Sequence, residues 1–163
     1  VGVRSKEYIA ATIHRPSNTD SIENMQAIFK AFASCDKTIV FPIHPRTRKY
    51  LNEYHLVIPK NVILIDPLGY LDMLRLMANA ERIVTDSGGV QKEAYLLKVP
   101  CVTLRENTEW IETLTSGWNI LVSSSDPAMI AKAVTEPRHP DMWLPVFGDG
   151  YGAEKIVAYL EKQ

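Results

Sequence analysis

Short runs of β-branched and aliphatic residues alternate along this chain with longer segments whose apolar residues recur at helical spacing. Short apolar runs of this kind are typical of strands buried on both faces, which occur in parallel sheets covered by helices. The alternation therefore predicts an α/β fold with helices on both sides of one parallel sheet. The strands are predicted at residues 8–13, 38–43, 62–65, 82–85, 100–104 and 119–122.

The segments between these runs are predicted to be helices that pack one apolar face on the sheet. The first begins at Asp20. In the helix at 70–80, Leu71, Leu74 and Met77 are expected to point inward. The remaining elements are predicted as helices at 46–54, 91–97, 108–115, from Pro127 onward and at 152–162, and as an extended segment at 136–150.

Length and charge narrow the class of protein. The 163 residues suit one domain spanning 1–163, and 18 basic against 19 acidic residues leave no charge excess for nucleic acid or an anionic membrane surface. No apolar run reaches the roughly 20 residues of a membrane helix.

Cys35 and Cys101 match no metal or redox spacing, which indicates reduced thiols and a cytoplasmic location. The first residue, Val1, suggests a fragment of a longer protein.

A Gly-Gly turn follows the predicted strand at 82–85. Ser87, Gly88 and Gly89 lead directly into a helix, whose free amides and positive dipole end can hold an anion. Glu93 lies about one helical turn further on, where it could accept hydrogen bonds from a ribose attached to that anion. The alternative is a purely structural turn in which Asp86 and Ser87 only cap the helix.

Polar side chains also follow the other predicted strands, and ligands of parallel sheets bind at these strand ends. Taken singly, each has a structural alternative: a histidine satisfied by backbone groups, a helix cap, or a surface ion pair of Arg105 with Glu106 or Glu109. Trp110 is expected to serve in packing. Taken together, two histidines and three arginines at one edge favour an anionic ligand. The strand-end residues are His14 and Arg15, His44 and Arg46, Leu68 and Tyr70, and Arg105.

Six motifs, in this order, resemble the signatures of the non-hydrolysing UDP-N-acetylglucosamine 2-epimerases. The resemblance runs from about Tyr8 to the end of the chain. The motifs are Thr12-Ile13-His14-Arg15, Pro42-Ile43-His44-Pro45, Asp66-Pro67-Leu68, the run from Thr85 to Glu93, the run from Leu104 to Glu109, and Phe147-Gly148-Asp149-Gly150.

The resemblance implies a three-layer Rossmann-like sheet, one half of a two-domain glycosyltransferase B (GT-B) fold. The chain would be the C-terminal, UDP-binding domain, with the N-terminal catalytic domain absent. Ser87, Gly88 and Gly89 would hold the diphosphate and Glu93 the ribose. His14 would be the catalytic histidine that helps UDP leave. The uracil pocket would be lined by Leu68, Tyr70 and Met73.

The resemblance also implies a reaction. Members of the family invert C2 of UDP-N-acetylglucosamine, giving UDP-N-acetylmannosamine, by eliminating UDP and adding it back to a glycal. No cofactor or metal is implied, and the full-length protein is expected to be a homodimer. Proton abstraction relies on carboxylates of the absent domain, so the isolated chain is expected to bind UDP weakly and to catalyse nothing.

The chain departs from the usual family pattern at three places. Pro16 and Ser17 follow Arg15 where many members have a further Arg or Ala and then Glu, Met73 replaces an aromatic residue, and Trp110 replaces an arginine. Three alternatives therefore stay open. The chain could act on UDP-linked diacetamido uronic acids, belong to a GT-B glycosyltransferase, or be a nucleotide-binding module without a reaction.

Overall fold

Six parallel strands form one sheet in a computed structural model that describes residues 2–137, 140 and 142–162. The sheet order is β3-β2-β1-β4-β5-β6, so the chain builds outward from β1 in one direction and then from β4 in the other. The strands are β1 (Tyr8–Thr12), β2 (Thr38–Pro42), β3 (Val62–Ile65), β4 (Arg82–Thr85), β5 (Cys101–Leu104) and β6 (Asn119–Val122).

Helices connect consecutive strands and follow the last one. Pro at the first helical position begins three of them, where its missing N–H costs no hydrogen bond. The helices are α1 (Pro16–Thr19), α2 (Ile22–Ala33), α3 (Pro45–Glu53), α4 (Tyr70–Asn79), α5 (Gly88–Leu96), α6 (Ile111–Thr115), α7 (Pro127–Thr135) and α8 (Gly152–Leu160).

The sheet has an apolar core on each face. Side chains alternate along a strand, so Ile9 and Ala11 enter the core beneath α2 and α7, whereas Tyr8 and Ala10 enter the core beneath α4 and α5. Both faces of the inner strands are therefore buried. The three-layer α/β sheet predicted from the alternating pattern is confirmed, with the strand order of a Rossmann fold.

Two details of the helices were predicted wrongly. Helix α1 was not predicted, and the helix predicted from Asp20 begins at Ile22, because Ser21 caps α2 by accepting the amide of Asn24 at 3.1 Å. Leu71 does not point inward but is 78% exposed. Leu74 and Met77 do face the core as predicted, and Met73 and Leu76 complete the inward face of α4.

Both cysteines are buried, and each carries a free thiol. Burial raises the pKa of Cys35, and it raises the pKa of Cys101, in β5, to about 12. No helix within the described ranges is long and apolar enough to span a membrane. The described part of segment 136–150 contains neither helix nor strand, as predicted, and residues 138, 139 and 141 lie outside the description.

The last helix, α8, differs from the others because none of its residues is buried. Its apolar side chains are left in solvent although they recur at helical spacing. The exposed residues are Ile156, Val157, Tyr159 and Leu160, together with Tyr151, which precedes the helix.

Candidate functional site

The turn between β4 and α5 presents a helix N-terminus at the carboxyl edge of the sheet. Ser87 caps this helix: its hydroxyl accepts from the amide of Val90 at 3.5 Å, and its carbonyl accepts from that of Gln91. The amides of Gly88 and Gly89 have no partner within the helix, because the first turn of any helix lacks acceptors. These two donors and the helix dipole together favour an anion.

The two glycines are not required by the packing of the chain itself. Both lie within α5 and neither has a positive φ. A Cβ at Gly88 would meet its nearest neighbour, Trp110 Nε1, at 3.5 Å, and one at Gly89 would meet Ser87 Oγ at 3.9 Å. These are ordinary contact distances. The packing of the chain itself therefore leaves room for a side chain at both positions.

Asp86 joins the turn to the loop after β1. Its side chain is fully buried and accepts from the amides of His14 and Arg15, at 3.1 and 2.9 Å, and from Asn18 Nδ2 at 3.0 Å. Asn18 also donates to the carbonyl of Leu104, at the end of β5. One carboxylate thus fixes the ends of neighbouring strands β1 and β4 relative to each other.

His14 and His44 lie side by side at this edge, with ring centroids 5.6 Å apart. His14 Nδ1 is 3.5 Å from Asp86 Oδ1. His44 caps α3, and its Nδ1 accepts from the amide of Arg46 at 3.2 Å. The helix-cap alternative for His44 is therefore observed. Because His44 Nδ1 accepts this bond, a neutral His44 ring carries its proton on Nε2, which can donate to another partner.

Arg46 is held by its own chain. Its guanidinium donates to both carboxylate oxygens of Asp20, at 2.5 and 2.6 Å, and its Nε donates to Thr19 Oγ1 at 2.9 Å. The hydrogen bonding from Arg46 holds the pKa of Asp20 below its usual value. A ligand would have to compete with Asp20 for this cation.

Arg15 and Arg105 share the carboxylate of Glu109. Arg105 donates to it at 2.9 Å, Arg15 lies 3.6 Å from it, and the bond from Arg105 lowers the pKa of Glu109. The ion pair predicted as the structural alternative for Arg105 is therefore present. Both arginines also line a polar cavity of about 360 Å³, together with Asn18 and the serines 123–125 that follow β6.

Glu93 is half-buried on α5, four residues after Gly89 and so on the same face of the helix. Burial raises its pKa. Leu68, Tyr70 and Met73 follow β3, the edge strand, three strand positions from β4. At about 4.8 Å per strand, the ends of β3 and β4 are roughly 14 Å apart along the sheet. Tyr70 and Met73 lie on α4, however, and this helix packs beside α5 on the same face of the sheet.

Four contributors to this edge were not predicted to act there. Asp86 and Trp110 had been assigned structural roles, Glu109 appeared only as a possible ion-pair partner of Arg105, and Asn18 had no role. The acid directly after a buried strand was the available signal for Asp86. For Trp110 the available signal was its place in the family pattern, where other members have an arginine. Asn18 carried no signal, because its position depends on contacts between segments distant in sequence.

Comparison with known proteins identifies the family. A family model described as UDP-N-acetylglucosamine 2-epimerase matches residues 1–161. A "UDP-N-acetylglucosamine 2-epimerase homolog" of Methanococcus maripaludis is 49% identical over 98% of this chain and 46% of its own length. The UDP-2,3-diacetamido-2,3-dideoxy-D-glucuronate 2-epimerase of Pseudomonas aeruginosa is 37% identical over 99% of this chain and 47% of its own.

A solved structure gives the same result. The UDP-GlcNAc 2-epimerase of Methanocaldococcus jannaschii superposes with a TM-score of 0.87 at 42% identity, over 99% of this chain and 47% of that one, and it has also been solved with UDP-GlcNAc and UDP. The chain spans about half the length of the relatives it matches, and its fold matches one half of the two-domain GT-B fold. The chain belongs to the UDP-N-acetylglucosamine 2-epimerase family.

Proposed function

We propose that this chain is the UDP-binding half of an enzyme that interconverts UDP-N-acetylglucosamine and UDP-N-acetylmannosamine. The observation that carries the proposal is the N-terminus of α5, where Gly88 and Gly89 leave room that the packing of the chain does not need. The diphosphate would accept hydrogen bonds from the amides of these glycines and from Ser87. A relative that is 43% identical over this length has been solved with UDP-GlcNAc and UDP, which supports the choice of ligand.

The ribose would lie over the first turns of α5, with its hydroxyls donating to Glu93, and the uracil would continue towards Leu68, Tyr70 and Met73. The packing of α4, which carries Tyr70 and Met73, beside α5, which carries Glu93, supports this path. Arg15 and Arg105 would add positive charge beside the diphosphate once Glu109 released them. His44 and Arg46 would border the same edge, with Arg46 drawn from Asp20.

In the reaction, a base would remove the proton from C2 of the sugar. The electron pair of the C–H bond would form a C1=C2 double bond, and the C1–O bond would break with its electron pair on UDP. His14 would donate a proton or a hydrogen bond to the departing diphosphate. Asp86 supports this role, because it holds the backbone of His14 and immediately precedes Ser87. Re-addition of UDP and of a proton on the opposite face at C2 would give the epimer.

The base would come from the remainder of the full-length protein. The exposed apolar side of α8 supports such a remainder, since burial of these side chains against another domain would be favourable. We further propose that the full-length protein is a cytoplasmic homodimer. Two buried, unpaired thiols are compatible with a reducing compartment.

A turnover assay in D₂O tests the reaction. The full-length protein, incubated with UDP-N-acetylglucosamine, should give UDP-N-acetylmannosamine that carries deuterium at C2, as followed by proton NMR. The 163-residue chain alone should bind UDP without turnover. Epimerisation without deuterium uptake would contradict the elimination mechanism. The Pseudomonas relative makes the diacetamido uronic acid substrate the second candidate, and turnover of that compound alone would replace the first.

Replacement of Glu93 tests the placement of the ribose. Glu93→Ala should weaken UDP binding by about 10-fold to 100-fold, the value of hydrogen bonds to a charged group. Calorimetric titration should show a smaller loss for 2′-deoxy-UDP, which lacks one of the donors. Glu154→Ala, at an exposed position of α8, is the control and should change neither affinity. Equal losses for the two nucleotides would place the ribose elsewhere.

The same carboxylate should make binding depend on pH. The ribose hydroxyls donate to the ionised form of Glu93, whose pKa is raised by burial. UDP affinity should therefore fall as the pH drops through this raised pKa, and the fall should be smaller in Glu93→Ala. Titrations at a series of pH values, with the two proteins side by side, separate this effect from protonation of UDP itself.

A further inference from the structure

The indole of Trp110 is fixed in place by its neighbours. Phe147 packs edge-on against it, with ring centroids 5.9 Å apart, and the ammonium of Lys92 lies over its ring at 4.3 Å. The backbone amide of Trp110 donates to Thr108 Oγ1 at 3.1 Å. The orientation of the ring is therefore set by contacts with α5 and with the segment before α8.

The indole Nε1 of Trp110 is buried and has no hydrogen-bond partner among the residues that the structure describes. The other two tryptophans of the chain do not share this property. Trp118 Nε1 donates to the carbonyl of Met142 at 3.0 Å, and Trp143 Nε1 donates to that of Tyr95 at 2.9 Å. A buried indole N–H usually has an acceptor, because an unpaired buried donor is unfavourable. The N–H of Trp110 therefore indicates an acceptor that these residues do not supply.

This N–H lies beside the candidate anion site. A Cβ built on Gly88 would be 3.5 Å from Trp110 Nε1, 3.7 Å from Arg15 Nη2 and 3.7 Å from Glu109 Oε1. The three groups thus surround one point at the N-terminus of α5. The charge of Arg15 is already opposed by Glu109, whereas no described residue accepts from the indole N–H.

We propose that Trp110 is a ligand-binding residue whose indole N–H donates a hydrogen bond to a phosphate oxygen of UDP. The inference rests on the function proposed above, because it needs a diphosphate at α5. The side chains that share the space, Arg15 and Glu109, are 37% and 50% exposed and can move aside as the phosphate enters. An uncharged donor would then act beside the helix amides, with Phe147 and Lys92 holding the ring.

NMR of the ¹⁵N-labelled chain tests this bond directly. Three indole N–H signals are expected, one for each tryptophan, and single Trp→Phe variants assign them. Titration with UDP should move the Trp110 proton signal downfield by more than those of Trp118 and Trp143, whereas uridine should not. Trp110→Phe, which keeps an aromatic ring but removes the N–H, should weaken UDP binding by about 10-fold to 100-fold. Its affinity for uridine should be unchanged.

Trp118→Phe is the matched control, because its N–H already has a backbone acceptor. It should leave UDP affinity within about twofold of wild type. If wild-type chain binds UDP but the Trp110 signal stays in place and Trp110→Phe binds equally well, the inference is overturned and the proposed function stands. If wild-type chain shows no saturable binding of UDP up to millimolar concentration, both fail. A Trp110→Phe variant that does not fold leaves the wild-type signal as the deciding measurement.

Discussion

Gly88→Ala is expected to weaken UDP binding by about 100-fold, or about 2.7 kcal/mol, without loss of stability. Gly88 is the first residue of α5 and lies in helical backbone, where alanine is the better residue. Its Cβ would make only ordinary contacts within the chain, so the free energy of unfolding should stay level or rise by about 0.4–1 kcal/mol. The added methyl group would occupy the space in which the phosphate must approach the helix amides.

The measurement pairs calorimetric titration with urea denaturation of the same protein. Gly152→Ala is the matched control, because Gly152 is also the first residue of a helix and has open space around its Cβ position. It should change stability in the same direction and leave UDP affinity intact. If Gly88→Ala bound UDP as tightly as wild type, the diphosphate could not lie against this turn.

Asp86→Ala is expected to lower the free energy of unfolding by about 3–5 kcal/mol, the usual cost of removing one partner from a buried charged network. The substitution would leave the amides of His14 and Arg15 and the side-chain amide of Asn18 without their shared acceptor. Water cannot replace it easily, since the Asp86 side chain is fully buried between the ends of β1 and β4.

Urea denaturation monitored by circular dichroism measures the loss. Asp66→Ala is the control: Asp66 also follows a strand, but its side chain is 90% exposed and contacts Arg48 at the surface. Its effect should stay within about 0.5 kcal/mol. A loss below about 1 kcal/mol for Asp86→Ala would mean that the three donors find other acceptors.

The strands were predicted well because burial on both faces leaves a plain signature in sequence. Strands β3, β4 and β6 begin and end at the predicted residues, and each of the other strands differs from its predicted bounds by one residue at one end. The buried faces of the helices were harder to predict. On α4, Leu74 and Met77 face the core as predicted, but Leu71 is exposed. Met73 and Leu76, which were not predicted to point inward, complete the face that meets the sheet. Periodicity shows that a helix is amphipathic but not which of two overlapping stripes meets the sheet.

For the candidate site, the sequence predicts which residues lie at the edge of the sheet but not what they contact. Residues that follow strands could be named from the sequence, because parallel strands bring their carboxyl ends to one edge. The contacts that each side chain makes at this edge could not be predicted. Arg46 and Asp20 are 26 positions apart, and Asp86 and His14 are 72 apart. Such pairings follow from the sheet order, in which β4 lies beside β1, and no local pattern contains that information.

The burial of both thiols makes the protein convenient for site-specific labelling. At neutral pH almost none of Cys101 is thiolate, since its pKa is about 12, and Cys35 is likewise buried with a raised pKa. Alkylating reagents attack the thiolate, so the native cysteines should react very slowly in the folded state. A cysteine introduced at an open position such as Val57, which is 85% exposed, would then be the preferred target for a maleimide dye. Distances to such a dye would then report whether the chain changes shape when UDP is added.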